Sequence, residues 1–209
     1  MRNYVMLGIP GAGKGTQATR LSRDLGIPHI STGDIFREAA RSGSELGRQA
    51  SQIMSEGKLV PDDIVIGIVR ERLSQPDTEK GYILDGFPRT INQAREFSRV
   101  QELDAVIYVA LPSEEAVNRL KGRRSCSSCG SQFNVYLDSL EDETCPKCGG
   151  RLIQRDDDRE ETVKVRISTY TGQTEPLINY YSEKSLLREV DGSQSIDEVY
   201  TDIRRSLDI

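Results

Sequence analysis

The stretch Gly8–Gln17, "GIPGAGKGTQ", constrains the fold more than any other part of this chain. A short apolar run, Tyr4–Leu7, precedes it, and Gly15–Leu25 reads as a helix after it. A glycine-rich turn between a strand and a helix lets successive backbone N–H groups converge on an anion, and the positive end of the helix dipole reinforces them. Lys14 adds a full charge at the spacing that serves β- and γ-phosphates. One feature departs from the usual pattern: Gly15 follows the lysine, and Thr16 comes one place late. A merely tight turn would need glycine but neither the lysine nor its spacing. The loop therefore predicts phosphate binding, without choosing between nucleotide hydrolysis and phosphoryl transfer.

Beyond the loop, apolar runs alternate with helical patterns. Strands are expected at Ile27–Ile30, Tyr82–Leu84, Ala105–Leu111 and Leu187–Val190. Helices are expected at Ser44–Glu56, with Leu46, Ile53 and Met54 on its apolar side, and at Asp62–Leu73, with Ile64, Ile68 and Val69 inward and Asp62 as a cap. Further helices are read at Thr90–Gln101, after Ser113 as a cap, and over Glu160–Glu183 with an interruption at Pro176. Ser195–Glu198 is a capping box that starts the terminal helix. The near-continuous apolar run Ala105–Leu111 suits an interior parallel strand. Strands alternating with helices predict an α/β fold, a parallel sheet covered on both faces. At 209 residues the chain accommodates one principal domain with inserted pieces.

Apolar residues at 36% and charged residues at 29% describe a soluble globular chain, and a net charge of −5 disfavours a general nucleic-acid partner. No run approaches the ~18 apolar residues of a membrane span. The N-terminal apolar run is too short for a signal peptide, so a cytoplasmic location is expected. Four cysteines, Cys126, Cys129, Cys145 and Cys148, form C-x2-C-x15-C-x2-C. Without an export signal this spacing reads as a tetrahedral zinc site rather than as disulfides, with iron or a reduced empty site as the alternatives. Four thiolates leave no open coordination position, so the metal is structural. It would staple a segment too small for its own core.

The loop resembles that of the adenylate kinases, nucleoside monophosphate kinases in which a glycine follows the lysine. Other segments match in order: "HISTGDIFRE" (His29–Glu38), "EGKLVPDDIV" (Glu56–Val65), "LDGFPRTINQ" (Leu84–Gln93), "NRLKGRRSC" (Asn118–Cys126), "RDDDREETVKVR" (Arg155–Arg166) and "VDGSQS" (Val190–Ser195). The resemblance covers almost the whole chain and is to the long, zinc-lidded kind seen in bacteria. It implies a five-stranded P-loop core (1–30, 61–124 and 163–209), an AMP-binding insertion (31–60) and a zinc-binding lid (125–162). The implied reaction is ATP + AMP = 2 ADP with Mg²⁺, in a monomer whose partners are ATP, AMP and ADP, with no nucleic acid and no membrane.

On the donor side the resemblance implies that Gly11, Ala12, Gly13, Lys14, Gly15, Thr16, Arg119, Arg123, Gln132, Phe133 and Gln194 meet ATP. For AMP it implies Thr32, Arg37, Lys58, Leu59, Val60, Gly86, Phe87, Pro88, Arg89 and Gln93, with Met54 packed nearby and Gln93 pairing with the adenine edge. Arg155 and Arg166 would close over the transferring phosphoryl group. Catalysis would fall to Lys14, Arg89, Arg123, Arg155 and Arg166. Asp85 would stand beside Mg²⁺ through water, and Asp157 and Asp158 match paired acidic positions of the lid. Phe133-Asn134 replaces the family's frequent Tyr-His, and a proline-containing stretch between the cysteine pairs is missing. His29, the only histidine, is read as structural; the AMP phosphate is already an oxyanion and needs no protein base. Two rival readings differ in class. One is a kinase for UMP or CMP, against which Gln93 and the long lid argue. The other is an ATP-gated binding module whose zinc ribbon grips nucleic acid or a protein, against which Asp138, Glu141, Asp142 and Glu143 argue by charge.

Overall fold

The computed structural model describes residues 2–136, 138, 140 and 143–209. Glu141 and Asp142, which bear on the ribbon's charge, lie outside the described residues. Five strands form one parallel sheet: β1 (Arg2–Leu7), β2 (His29–Ser31), β3 (Gly81–Asp85), β4 (Ala105–Ala110) and a last strand, Leu187–Asp191, in the order β2-β3-β1-β4 and then that last strand. Alternate residues of β1 face opposite layers. Tyr4 and Met6 pack with Leu21, Val199 and Ile203; Val5 and Leu7 pack with Phe36, Val69, Phe97 and Leu177. Both layers are apolar, which is why β1 and β4 read as near-continuous runs rather than as alternation.

The helices are α1 (Lys14–Leu25), α2 (Thr32–Arg41), α3 (Glu45–Ser55), α4 (Asp62–Leu73), α5 (Ile91–Ser98), α6 (Ser113–Gly122), α7 (Glu160–Thr169), α8 (Pro176–Glu183) and α9 (Ile196–Ser206). Ser195 and Glu198 form the expected capping box of α9. Ser44 and Thr90 cap α3 and α5 through their hydroxyls. Among the described residues, no helix is long and apolar enough to cross a membrane.

Several local expectations need correction. The cap of α6 is Pro112, which makes no side-chain bond; Ser113 is its first helical residue. Asp62 likewise lies inside α4, after Pro61, and its carboxylate bonds Thr90, Asn92 and Gln93 instead of the helix end. On α3 the buried face is Gly47 and Ala50, while Leu46 is exposed. The irregularity near Pro176 lies upstream of it, as a wide π-turn over Tyr170–Thr174. Proline lacks the N–H that would continue the ladder and crowds the preceding turn, so the chain widens there and α8 starts afresh with Pro176 in its first turn.

The cysteine-bearing segment contains a second sheet. Strand β5 (Arg123–Cys126) pairs antiparallel with β6 (Gln132–Asn134) and β7 (Leu152–Ile153), and the last strand of the main sheet is accordingly β8. Its strands of two to four residues carry no period long enough to read. Its small core is Cys126, Cys145 and Leu152, with Phe133 and Leu140 against it.

Candidate active site

The strand order reverses direction about β1, and ligands of open parallel sheets sit at the C-terminal ends of strands at such a point. There the loop after β1 and Asp85 at the end of β3 face a cavity of about 470 Å³. Gly8 lets the loop leave β1. Its φ is +145°, and an added Cβ would stand 2.5 Å from the Val109 carbonyl oxygen. Gly13 caps α1 with no side chain, so the first N–H groups of the helix open onto the loop. Gly15, which displaces the threonine, lies beside Asp85: a Cβ there would stand 3.4 Å from Asp85 Oδ2, an ordinary contact. The residue after the lysine is the one that faces this carboxylate, and leaving it bare keeps Asp85 open to the cavity. Thr16 is exposed one position on.

Eight cationic side chains line the cavity (Lys14, Arg37, Lys58, Arg89, Arg119, Arg123, Arg155 and Arg166) against the four carboxylates Asp34, Asp85, Asp138 and Asp157. In a chain of net charge −5 this local excess selects a polyanionic ligand. Lys14 Nζ donates to the carbonyls of Gly8 at 2.7 Å and Ile9 at 2.9 Å. Arg123 makes a two-bond fork to Asp158, at 2.7 and 2.6 Å. Arg166 donates to the same carboxylate at 2.7 Å and to the Asp157 carbonyl at 2.9 Å. Arg89 Nε donates to the Gly86 carbonyl at 2.8 Å, Arg155 Nε to Ser125 Oγ at 2.9 Å, and Arg37 to Asp34 at 2.6 Å. Guanidinium groups held by planar, two-bond contacts are already aimed.

Burial is the first cause of the lowered pKa values among these cations, and mutual repulsion adds to it, whereas at Arg123 burial is outweighed by Asp158, which raises the value. Burial lowers Lys14 to about 8; Asp85 opposes the shift, and the charges of Arg89, Arg166 and Arg123 add to it. Arg155 is pushed down to about 9 by burial and by Arg123 and Arg37. Arg89 and Arg166 are also lowered, chiefly by burial. Even so lowered, Arg89, Arg155 and Arg166 remain protonated at neutral pH. Burial alone would raise Asp85, but the His29 ring and the charges of Lys14 and Arg89 overcome it and hold the carboxyl below its usual range.

A pH dependence follows from Lys14. The folded value of about 8 lies below the ordinary 10.5, so protonated Lys14 is penalised in the empty protein below pH 8. The penalty is lost as pH rises from the folded value to the unfolded one. A bound polyphosphate favours the charged form and raises the value again. Specificity for a polyphosphate substrate, kcat/KM, is therefore expected to fall as pH rises through about 8, while kcat at saturation holds to higher pH. Parallel decline of both parameters in a pH–rate series would contradict this.

The sequence-marked residues divide by position. Gly11, Ala12, Gly13, Lys14, Gly15, Thr16, Arg119, Arg123, Gln132, Phe133 and Gln194 line the cavity. Arg37, Met54, Lys58, Leu59, Gly86, Pro88, Arg89, Arg155 and Arg166 also reach it. Thr32, Val60, Phe87 and Gln93 do not line it: all four are buried in the wall. Thr32 donates to the Gly86 carbonyl at 3.1 Å, and Phe87 packs edge-on against Phe97 in the core. Gln93 is tied at both ends of its amide. His29, read as structural, lines the cavity with Nε2 3.4 Å from Asp85 Oδ2. It is the first residue of β2, opposite Ile83 of β3, so no local sequence signal marks it.

The four cysteine sulfurs lie within 4.8 Å of one another. Cys126 and Cys148 are 3.5 Å apart and Cys129 and Cys145 3.7 Å apart, close to the ~3.8 Å edge of a tetrahedron of ~2.3 Å metal–sulfur bonds. The N–H groups of Ser128 and Cys129 point at Cys126 Sγ, as suits a thiolate. The N–H groups of Gly130 and Gly149 close the two knuckles onto the carbonyls of Cys126 and Cys145. The cluster can hold a metal ion.

Comparison with known proteins agrees with this geometry. The family profile described as adenylate kinase matches residues 6–186. An adenylate kinase of Archaeoglobus fulgidus is 52% identical across 99% of this chain and 98% of its own. One from Thermodesulfovibrio yellowstonii is 51% identical across 95% of each, and one from Staphylococcus epidermidis 46% identical across 99% of each. The glycine-rich loop, the cation-lined cavity and these full-length relatives place the chain in the adenylate kinase family.

Proposed function

We propose that this chain catalyses reversible phosphoryl transfer, ATP + AMP = 2 ADP. The observation that carries the reading is one cavity lined by Lys14 and Gly15 of the loop, by Gly86 and Arg89 after β3, and by Arg123, Arg155 and Arg166. Phosphates of a donor would lie on the loop N–H groups and Lys14. The phosphate of an acceptor would meet Arg37 and Arg89. An oxygen of the AMP phosphate attacks the γ-phosphorus of ATP, and the bond to the β–γ bridging oxygen breaks. Because the nucleophile is already an anion, the protein's task is to align the two nucleotides and to balance developing charge. Arg123, Arg155 and Arg166, which line the same cavity, would balance that charge.

Asp85, an ionised oxygen ligand facing the loop, suits Mg²⁺, which would neutralise phosphate charge when bound with ATP. Zinc is the metal we assign to Cys126, Cys129, Cys145 and Cys148, on donor type and sulfur spacing. With no open position it would brace the small sheet. Cys145→Ser should then cost about 2 kcal/mol and lower Tm by roughly 4–8 °C, while turnover at low temperature changes less. Equal Tm of metal-loaded and chelator-treated protein would count against that role.

We further propose that 31–60 and 125–162 are the pieces that close over the nucleotides, shutting out water that would otherwise hydrolyse ATP. The decisive experiment mixes protein, Mg-ATP and each nucleoside monophosphate in turn and measures diphosphate. AMP is expected to be the best acceptor. Release of orthophosphate at a rate indifferent to AMP would overturn the reading. The rival acceptors UMP and CMP are arms of the same assay, and the nucleic-acid-binding alternative gains nothing from relatives named adenylate kinase along the full chain.

A further inference from the structure

The amide of Gln93 is held by two partners whose chemistry cannot be exchanged. Its Oε1 accepts the backbone N–H of Arg89 at 2.7 Å, and its Nε2 donates to Asp62 Oδ1 at 2.7 Å. A backbone N–H only donates and a carboxylate only accepts, so turning the amide over would create two mismatches at once. Asp62 is itself fixed. Its other oxygen accepts from Thr90 Oγ1 at 3.0 Å and Asn92 Nδ2 at 2.8 Å. Thr90 in turn caps α5 by accepting the N–H of Gln93 at 3.1 Å. Gln93 is 1% exposed, and its partner Arg89 lines the cavity.

We propose that Asp62 is a specificity-positioning residue: by locking the direction of the Gln93 amide, it sets discrimination of a 6-amino purine from a 6-oxo purine in the acceptor. An amide has two N–H groups and two lone pairs, and each end of Gln93 keeps capacity for one further bond. Adenine offers an acceptor at N1 beside a donor at its 6-amino group. Hypoxanthine offers the reverse, a donor at N1 and an acceptor at O6. One amide direction suits the first and the opposite direction the second. The inference rests on the reading of Gln93 as the group that meets the base, which requires the wall over this buried side chain to part when the acceptor binds.

Asp62→Asn tests it with a nearly isosteric change. Thr90 and Asn92 hold the remaining oxygen, so the new NH₂ turns toward Gln93 and removes the acceptor of its Nε2; each amide direction then has one good contact and one mismatch, and the preference for a single direction is lost. The ratio of kcat/KM for AMP to that for IMP is expected to fall by roughly 10–100-fold, with KM for ATP unchanged. Gln93→Ala should also collapse the ratio, and Asp62→Asn added to Gln93→Ala should change it no further. Asp62→Ala removes the acceptor without adding a donor and should give a smaller fall; it carries the same readout should Asp62→Asn not fold. An unchanged ratio in Gln93→Ala overturns the base-reading role and the inference with it. A ratio lost in Gln93→Ala but kept in both Asp62 variants overturns the lock alone. Equal losses for AMP and IMP, with KM for ATP raised, reduce Asp62 to a structural support and also overturn it.

Discussion

Lys14→Ala is expected to lower kcat/KM for ADP formation by about 10²–10³-fold, the cost of removing one donor aimed at transition-state charge, about 2.7–4 kcal/mol. The loss should not be accompanied by a loss of stability. Burial and the surrounding arginines depress Lys14 to about 8, so its charge is a burden on the empty fold. Removing a penalised charge leaves Tm unchanged or higher, the usual sign of a group kept for function. Its two bonds go to the carbonyls of Gly8 and Ile9; Gly8 lines the cavity, where its carbonyl can turn to water once the amine is gone. Thermal unfolding beside a coupled assay separates the effects. Turnover near that of the parent protein would refute the assigned role, and a collapsed Tm would mean that the lysine mainly supports the loop.

Asp158→Ala is expected to behave in the opposite way, losing stability first. Its side chain is fully buried and accepts from both Arg123 and Arg166, whose side chains are 21% and 14% exposed. Breaking a buried ion pair by removing one partner costs ~3–5 kcal/mol, because the survivor is left uncompensated. Here two cations survive, yet both reach water and Arg166 keeps Asp157 at 3.2 Å, which argues for the lower end. A loss of about 3 kcal/mol corresponds to roughly 6–12 °C in Tm for a chain of this size. Bound ATP should narrow the gap, since its phosphates would supply the missing negative charge. Turnover should fall too, as two guanidinium groups lose their aim. An unchanged Tm without nucleotide would show that Asp158 does not brace the arginines.

Much of this was legible in the chain. The strand–loop–helix at Gly8–Gln17 and the apolar runs of β1 and β4 depend on local chemistry and on burial from both faces, which leave a plain mark. The cysteine spacing likewise brought four sulfurs together. What stayed hidden depends on contacts between distant residues. Asp62 looked like a helix cap because Asp after Pro61 favours one; its partners Thr90, Asn92 and Gln93 lie about thirty positions on. His29 gave no sign of facing Asp85, because that pairing comes from the register of β2 against β3. The burial of Thr32, Val60, Phe87 and Gln93 in the wall depends on how α2, α4 and α5 pack on the sheet.

The widened turn at Tyr170–Thr174 has a consequence for how one continuous stretch can serve two masters. Each residue of an α-helix advances about 100° around the axis, so one additional residue in a turn re-phases everything after it. Before the turn, Arg166 and Thr169 point to the nucleotide cavity; after it, Leu177 and Tyr181 point to the apolar layer under the sheet. Within the turn, Tyr170 and Thr174 reach the cavity together, and Thr174 Oγ1 donates to the Arg89 carbonyl at 2.9 Å. The extra residue works as a phase shifter: it uncouples the angular setting of the chemistry from that of the foundations, leaving each free to be tuned without twisting the other out of place.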